Sequence, residues 1–251
     1  NALARTRIDF ATAAPLIASG AAATVCGIAL ALLARPLFRQ DGSAFASRFQ
    51  CAFRFNSYIG LAVLGKLHGA AGIATMGLLV GAMVPLVNLA SVWMLARQGN
   101  LGVGREMARN PLVLASLAGF AFSTSGLTLP DVASHFLGRL GDAAVALGLL
   151  AVGAALRLRG PTGSPLGSCY LLAVKLIAVP AAALLVALSL GLGRVHLDAA
   201  VLFAALPTAT SAYILTQRMG GDGAGVAWLV SANTLAAMAT LPVWLSIVLR
   251  Y

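Results

Sequence analysis

Acidic residues are nearly missing from this chain of 251 residues: six Asp and a single Glu stand against 15 Arg and 2 Lys. All charged residues together make up 10%, while 60% are hydrophobic and the mean hydropathy is +0.92. Soluble domains carry about 25% charged residues, so a soluble globule is excluded. The scarcity of carboxylates also removes the paired acids that membrane-embedded enzymes use, and neither a Ser-His-Asp arrangement nor HExxH is present. Cys26, Cys51 and Cys169 are odd in number and far apart, which predicts buried small side chains rather than a disulfide framework or metal cluster. His68, His135 and His196 sit in connections without a second ligand at metal spacing, so they read as solvated loop residues and no metal site is expected. The net charge of +10 lies mainly between apolar runs, without the interleaved aromatics of a nucleic-acid surface.

What is present is a series of apolar runs. Residues 10–34, 69–96, 110–128, 141–156, 169–192 and 226–249 each read as a membrane span. Two further runs, around 51–65 and 205–225, are interrupted by polar residues, so eight spans are expected, two of them discontinuous. The second interruption, ALPTATSAYILTQRMGGDGAG, is the more pronounced. Pro207 removes a backbone donor and clashes with the preceding turn, and hydroxyls and an amide stand where leucines would be inert. In hydrocarbon, freed backbone groups persist only where they are buried in protein or line a cavity. Gly220, Gly221, Gly223 and Gly225 have no preceding strand and no GK[ST], so they predict a tight turn rather than a phosphate loop.

A repeat emerges at a shift of about 152 residues. It sets Asn56 opposite Thr208, Lys66 opposite Arg218 and Gly69 opposite Gly221, and each unit closes on a tryptophan, Trp93 or Trp244. Spans 110–128 and 141–156 then have no partners ahead of them. The chain thus reads as a fragment or processed form, with two helices of an expected ten missing; Asn1 is not a methionine, and the first ten residues lack signal-peptide regions. Loops 35–48, 97–109, 157–167 and 218–222 hold most of the Lys and Arg, which places them on the cytoplasmic side. The two units are then inverted. The division expected is 1–96 for the remainder of the first repeat, 97–109 for a cytoplasmic connection and 110–251 for the second repeat. The expected fold is an all-α membrane protein, an inverted-repeat secondary transporter whose two broken helices cross, with the site near the bilayer midplane.

ALPTATSAYILTQRMGGD followed by a long span ending in LPVWL (241–245), together with FRFNSYIGLA (53–62), RNPLVLASLAGF (109–120) and KLIAVP (175–180), resembles the auxin efflux carrier family, in the bacterial branch of malonate or malate transporters. The resemblance covers the chain from the family's third helix onward. It implies two inverted repeats with crossing broken helices and elevator-like transport of an organic anion, often ion-coupled in bacterial members. The family's first crossover commonly carries a proline after its Asn, where this chain has Gly60-Leu61-Ala62, so Gly60 and Pro207 are the expected break positions.

On this reading Asn56 and Ser57 from one break, and Thr208, Thr210 and Ser211 from the other, contact the substrate or coupling ion. Half-helix ends suit a carboxylate there. Arg54 has two readings: a bidentate fork on a substrate carboxylate, or a side chain snorkelling to the surface. Asn88 and Asn233 are read as lining the cavity. Lys175 either pairs with Asp142 as a charge-coupling site or sends its stem to the interface. Expected partners are a small organic anion such as malonate, malate or an auxin-like acid, the lipid bilayer and a second copy of the chain; no cofactor is expected beyond a coupling Na⁺ or H⁺. The location expected is a bacterial inner membrane. Sodium–bile acid symporters and cation/proton antiporters share this architecture, but antiporters of that kind usually need acidic residues at the crossover, and both crossovers here lack them.

Overall fold

A computed structural model describes residues 10–98, 103–109, 130–154 and 164–251, with isolated positions between 114 and 125. Among the described residues the regular structure is helical throughout, and four segments are long and apolar enough to cross a bilayer: Ala13–Phe38, Gly42–Gln98, Pro165–Ser189 and Gly223–Val248. The span expected at 110–128 lies mostly outside the described residues, as does the connection at 157–163.

Helix α1 is Phe10–Phe38. The first interrupted element begins with α2 (Gly42–Phe49), whose N-cap Asp41 accepts from the amides of Ser43 and Ala44. It tightens into a 3₁₀ turn at Gln50–Ala52, loses helical form at 53–56 and resumes as α3 (Ser57–Gln98). A second break divides α3 at Gly69, whose φ of 58° and ψ of −138° suit only glycine. Gly72 packs against the Leu64 carbonyl and Gly65 against the Ile73 side chain. A straight helix holds residues eight apart about 12 Å from one another, so the chain turns back here. The first limb is 57–68 and the second 70–98.

Helix α4 is Val103–Arg109 and α5 is Asp131–Ala154. The polar stretch containing Asp131, His135 and Arg139 was expected as a connection; it is instead the first part of α5, helical from Asp131 onward. Helix α6 (Pro165–Ala173) opens on the Ser164 cap with Pro at its first position, where a missing N–H costs nothing. It runs through a π turn at Val174–Ala178 into α7 (Val179–Ser189).

The second interrupted element is α8 (Arg194–Ala205) followed, after 206–210, by α9 (Ser211–Arg218). Proline disfavours the helical region for the residue before it. Leu206 accordingly stands at φ −58°, ψ 141°, and α8 stops at Ala205. The last helix, α10 (Gly223–Val248), starts on Asp222, whose carboxylate accepts from the Gly225 amide.

Helix α8 lies at the centre, packed by α1, α3, α7 and α10, and every residue from 197 to 208 is buried. Phe203 on α8 meets Phe55 from the other break with ring centroids 4.3 Å apart. Outside this core, Ser19 donates to the Ala183 carbonyl, Tyr170 to that of Leu30 and Trp244 to that of Leu176.

Two ionic clusters tie the interrupted elements together. Arg48 on α2 reaches Asp222 through Nε (2.9 Å) and Nη2 (2.5 Å), and the Asp222 amide donates to Ser47 Oγ. Beside them Gln50 donates to Thr216 Oγ1 on α9 at 2.9 Å. In the other cluster Asp198 on α8 receives His68 Nε2 at 2.6 Å and Arg194 Nε at 3.2 Å. His68 is therefore not the solvated side chain expected: it folds onto a buried carboxylate from the neighbouring element. Of the cysteines only Cys51 is buried; Cys26 is half-buried and Cys169 exposed, because the last two lie on outward faces of α1 and α6.

Candidate functional site

The two irregular stretches, 53–56 and 206–210, meet. The Asn56 amide donates to the Pro207 carbonyl at 2.9 Å, and Thr208 Oγ1 donates to the Cys51 carbonyl at 2.7 Å. Each broken element thus satisfies a backbone group freed by the break in the other, which apolar surroundings require.

A cavity of about 170 Å³ opens beside this junction. Three segments line it: 54–58 from the first break, 209–211 from the second, and Val84, Val87 and Asn88 from the second limb of α3. Arg54 supplies its charge. The side chain is only 4% exposed, and Nη2 donates to Asn88 Oδ1 at 3.1 Å and to Ser211 Oγ at 3.0 Å. Nη1 is buried with no hydrogen-bond partner among the described residues, and no carboxylate there pairs with the guanidinium. The snorkelling reading of Arg54 is therefore overturned: the side chain turns into the protein, held by two polar groups from different elements.

The limb starting at Ser57 and the helix starting at Ser211 both present N-terminal ends to the cavity, where the positive dipole end favours an anion. Asn56 caps the first of them, its Oδ1 accepting from the Tyr58 amide at 3.1 Å and the Ile59 amide at 3.4 Å. Thr210 precedes the second without a side-chain cap bond.

The structure brings Arg54, Asn56, Ser57, Asn88, Thr210 and Ser211 to one cavity. Two other expected contacts lie elsewhere. Thr208 is fully buried and spends its hydroxyl on Cys51, and Asn233 is fully buried in α10, its Nδ2 donating to the Leu229 carbonyl at 3.1 Å. Lys175, 1% exposed, neither reaches the interface nor meets a carboxylate among the described residues; its Nζ donates to the Ala204 carbonyl at 2.8 Å. The side chain of Asp142 lies outside the described residues.

Gly60 also has a different part from the one expected. It is helical within the first limb of α3, after the break. A Cβ there would stand 2.8 Å from Leu206 Cδ1 and 3.1 Å from Met76 Sδ. Its small size lets the limb approach the stretch before Pro207. Gly60→Val should overpack this contact and cost about 1–3 kcal/mol, seen as a lower melting temperature of the detergent-solubilised protein. Equal melting would remove the packing role.

Phe55, Tyr58, Val84, Val87 and Ala209 complete the lining and had no signal in the sequence beyond lying near the two breaks and Asn88. The Ser47–Arg48–Gln50 network was also missed, although a run such as FASRFQ, polar within apolar surroundings, marks a buried partner across the fold.

Comparison with known proteins adds two findings. The family described as "Membrane transport protein" matches residues 95–245. A Rhizobium meliloti (strain 1021) protein named "Putative malonate transporter" is 30% identical over 145 residues, a match covering 56% of this chain and 44% of that protein. The chain thus spans under half the length of the relative it matches.

Proposed function

Because this chain belongs to the membrane transport protein family, that of the auxin efflux carriers, we propose that it is a secondary carrier of a small organic anion and that the cavity at the junction of the two breaks holds the anion's carboxylate. One observation carries the reading: a buried arginine that, among the described residues, has no carboxylate partner and a free Nη1, standing between two helix N-terminal ends. Burying an unpaired charge is expensive, and an intramembrane charge marks a substrate or ion pathway by default. An anion entering the cavity supplies the missing counter-charge.

Arg54 Nη1 and Nη2 offer the carboxylate a fork. Asn56, Thr210 and Ser211 add neutral donors around it. A cavity of about 170 Å³ is below the ~300–1,000 Å³ range of pockets for drug-sized ligands. It favours a short carboxylate of the malonate or malate kind over an auxin-like aromatic acid. The relative's printed name points the same way. Alternating access is supported by the two interrupted elements meeting at the site, the arrangement from which inverted-repeat carriers build their midplane sites. An inner-membrane location and a two-copy assembly complete the proposal.

Uptake of radiolabelled malonate into proteoliposomes, with malate, acetate and an aromatic acid as competitors, tests it. Competition by malate with little effect of the aromatic acid is expected. Uptake no faster than in empty liposomes for every carboxylate would refute the reading.

A further inference from the structure

Lys175 is the one fully buried lysine, and the site above does not use it. It lies in the π turn Val174–Ala178, a local widening of the helix that often accompanies function, and its Nζ sits 2.8 Å from the Ala204 carbonyl. That carbonyl belongs to the last turn of α8, whose final four C=O groups have no helical partner. They cannot find one ahead, because the chain leaves the helix at Leu206 and Pro207 has no N–H. The C-terminal end of a half-helix is also its negative end. In discontinuous-helix carriers such carbonyls, with unwound backbone, are where the coupling cation is held. The first break solves the same problem without charge, by the Thr208 hydroxyl on Cys51.

We propose that the Lys175 ammonium is a tethered cation occupying the cation position at the end of α8, so that this carrier works without Na⁺ at that position. The inference rests on the transport reading for the meaning of that position; the ammonium's place on the Ala204 carbonyl does not. The ammonium is covalently held, donates to the freed carbonyl and balances the negative end of α8 in every turn of the cycle. No carboxylate competes for it among the described residues. The same geometry explains why the lysine has drawn into the core rather than extended to the surface.

The test compares wild type, Lys175→Ala and Lys175→Arg with Na⁺ or choline as the only added cation at equal ionic strength, reading both melting temperature and malonate uptake. Wild type should respond to neither cation. Lys175→Ala should melt lower and transport about tenfold or more slowly, since a buried carbonyl loses its charged donor. Na⁺, but not choline, should restore part of both, raising the melting temperature by at least about 2 °C. Lys175→Arg, which keeps the charge, should remain insensitive to Na⁺. A specific Na⁺ response in wild type, or no restoration by Na⁺ in Lys175→Ala, would overturn the inference. The melting arm needs no transport: a protein that took up no carboxylate yet met these melting results would refute the carrier reading and leave only the tethered cation at the end of α8 standing. If Lys175→Ala cannot be purified folded, Lys175→Met, neutral and closer in volume, takes its place with the same expected restoration by Na⁺.

Discussion

Replacing Arg54 with Gln should weaken malonate binding by about a hundredfold or more while leaving the empty protein as stable as wild type, or more stable. Hydrogen bonds to charged groups contribute about 1.5–3 kcal/mol, and truncating one member of a buried charge pair costs about 2–5 kcal/mol of binding. At 1.4 kcal/mol per tenfold, the middle of those ranges corresponds to two decades in Kd. Stability moves the other way because, among the described residues, no carboxylate is left behind when the guanidinium goes. A buried charge without a counter-ion is a cost to the empty fold. Gln can still donate to Asn88 or Ser211, which Arg54 now serves at 3.1 and 3.0 Å. Arg54→Lys keeps the charge but loses the fork and should fall between the two. Titration calorimetry gives the affinities and thermal melting the stabilities. Loss of affinity together with a large loss of stability would instead make Arg54 a structural residue.

The largest effect on stability is expected at Asp222. Its carboxylate takes two bonds from Arg48, whose side chain is 3% exposed, while its second oxygen caps α10 through the Gly225 amide. Asp222→Ala therefore strips a buried arginine of its carboxylate, worth about 3–5 kcal/mol, and removes a cap worth about 1 kcal/mol. For a protein whose net stability is of order 5–15 kcal/mol, that approaches unfolding. Removing both charges in Arg48→Met with Asp222→Ala should recover part of the loss, because the buried guanidinium then goes together with its carboxylate. The other cluster supplies the control. Asp198 holds His68 and Arg194, whose side chains are 19% and 41% exposed, so water can take them over, and Asp198→Ala should cost distinctly less. Melting of the variants in one detergent checks the order; Asp222→Ala melting above Asp198→Ala would reverse the assignment of the stronger clamp.

The interruptions were legible because their causes are local. Pro207 removes a donor and forces Leu206 out of helical space, and Asn56 carries the cap of the limb that follows it. The two interrupted segments singled out in the sequence do meet, since Asn56 and Pro207 share a hydrogen bond. Register does not determine which way a side chain points. Thr208 was chosen as the counterpart of Asn56, yet its hydroxyl donates to a carbonyl of the facing stretch and does not line the cavity. Asn233 failed for the same reason on α10. The Ala204 carbonyl that Lys175 meets was not legible, because a backbone carbonyl leaves no trace in residue identity. Arg48 and Asp222 are far apart in the chain, and only the meeting of α2 with the start of α10 makes them neighbours.

The central claim is that the cavity beside the two breaks binds an organic anion through Arg54. Its most direct test is a structure determined with malonate at saturating concentration. Carboxylate density within hydrogen-bonding distance of Arg54 Nη1, with the second carboxylate among Asn56, Thr210 and Ser211, is the predicted result. Malonate bound elsewhere, with Arg54 still engaged only by Asn88 and Ser211, would contradict it.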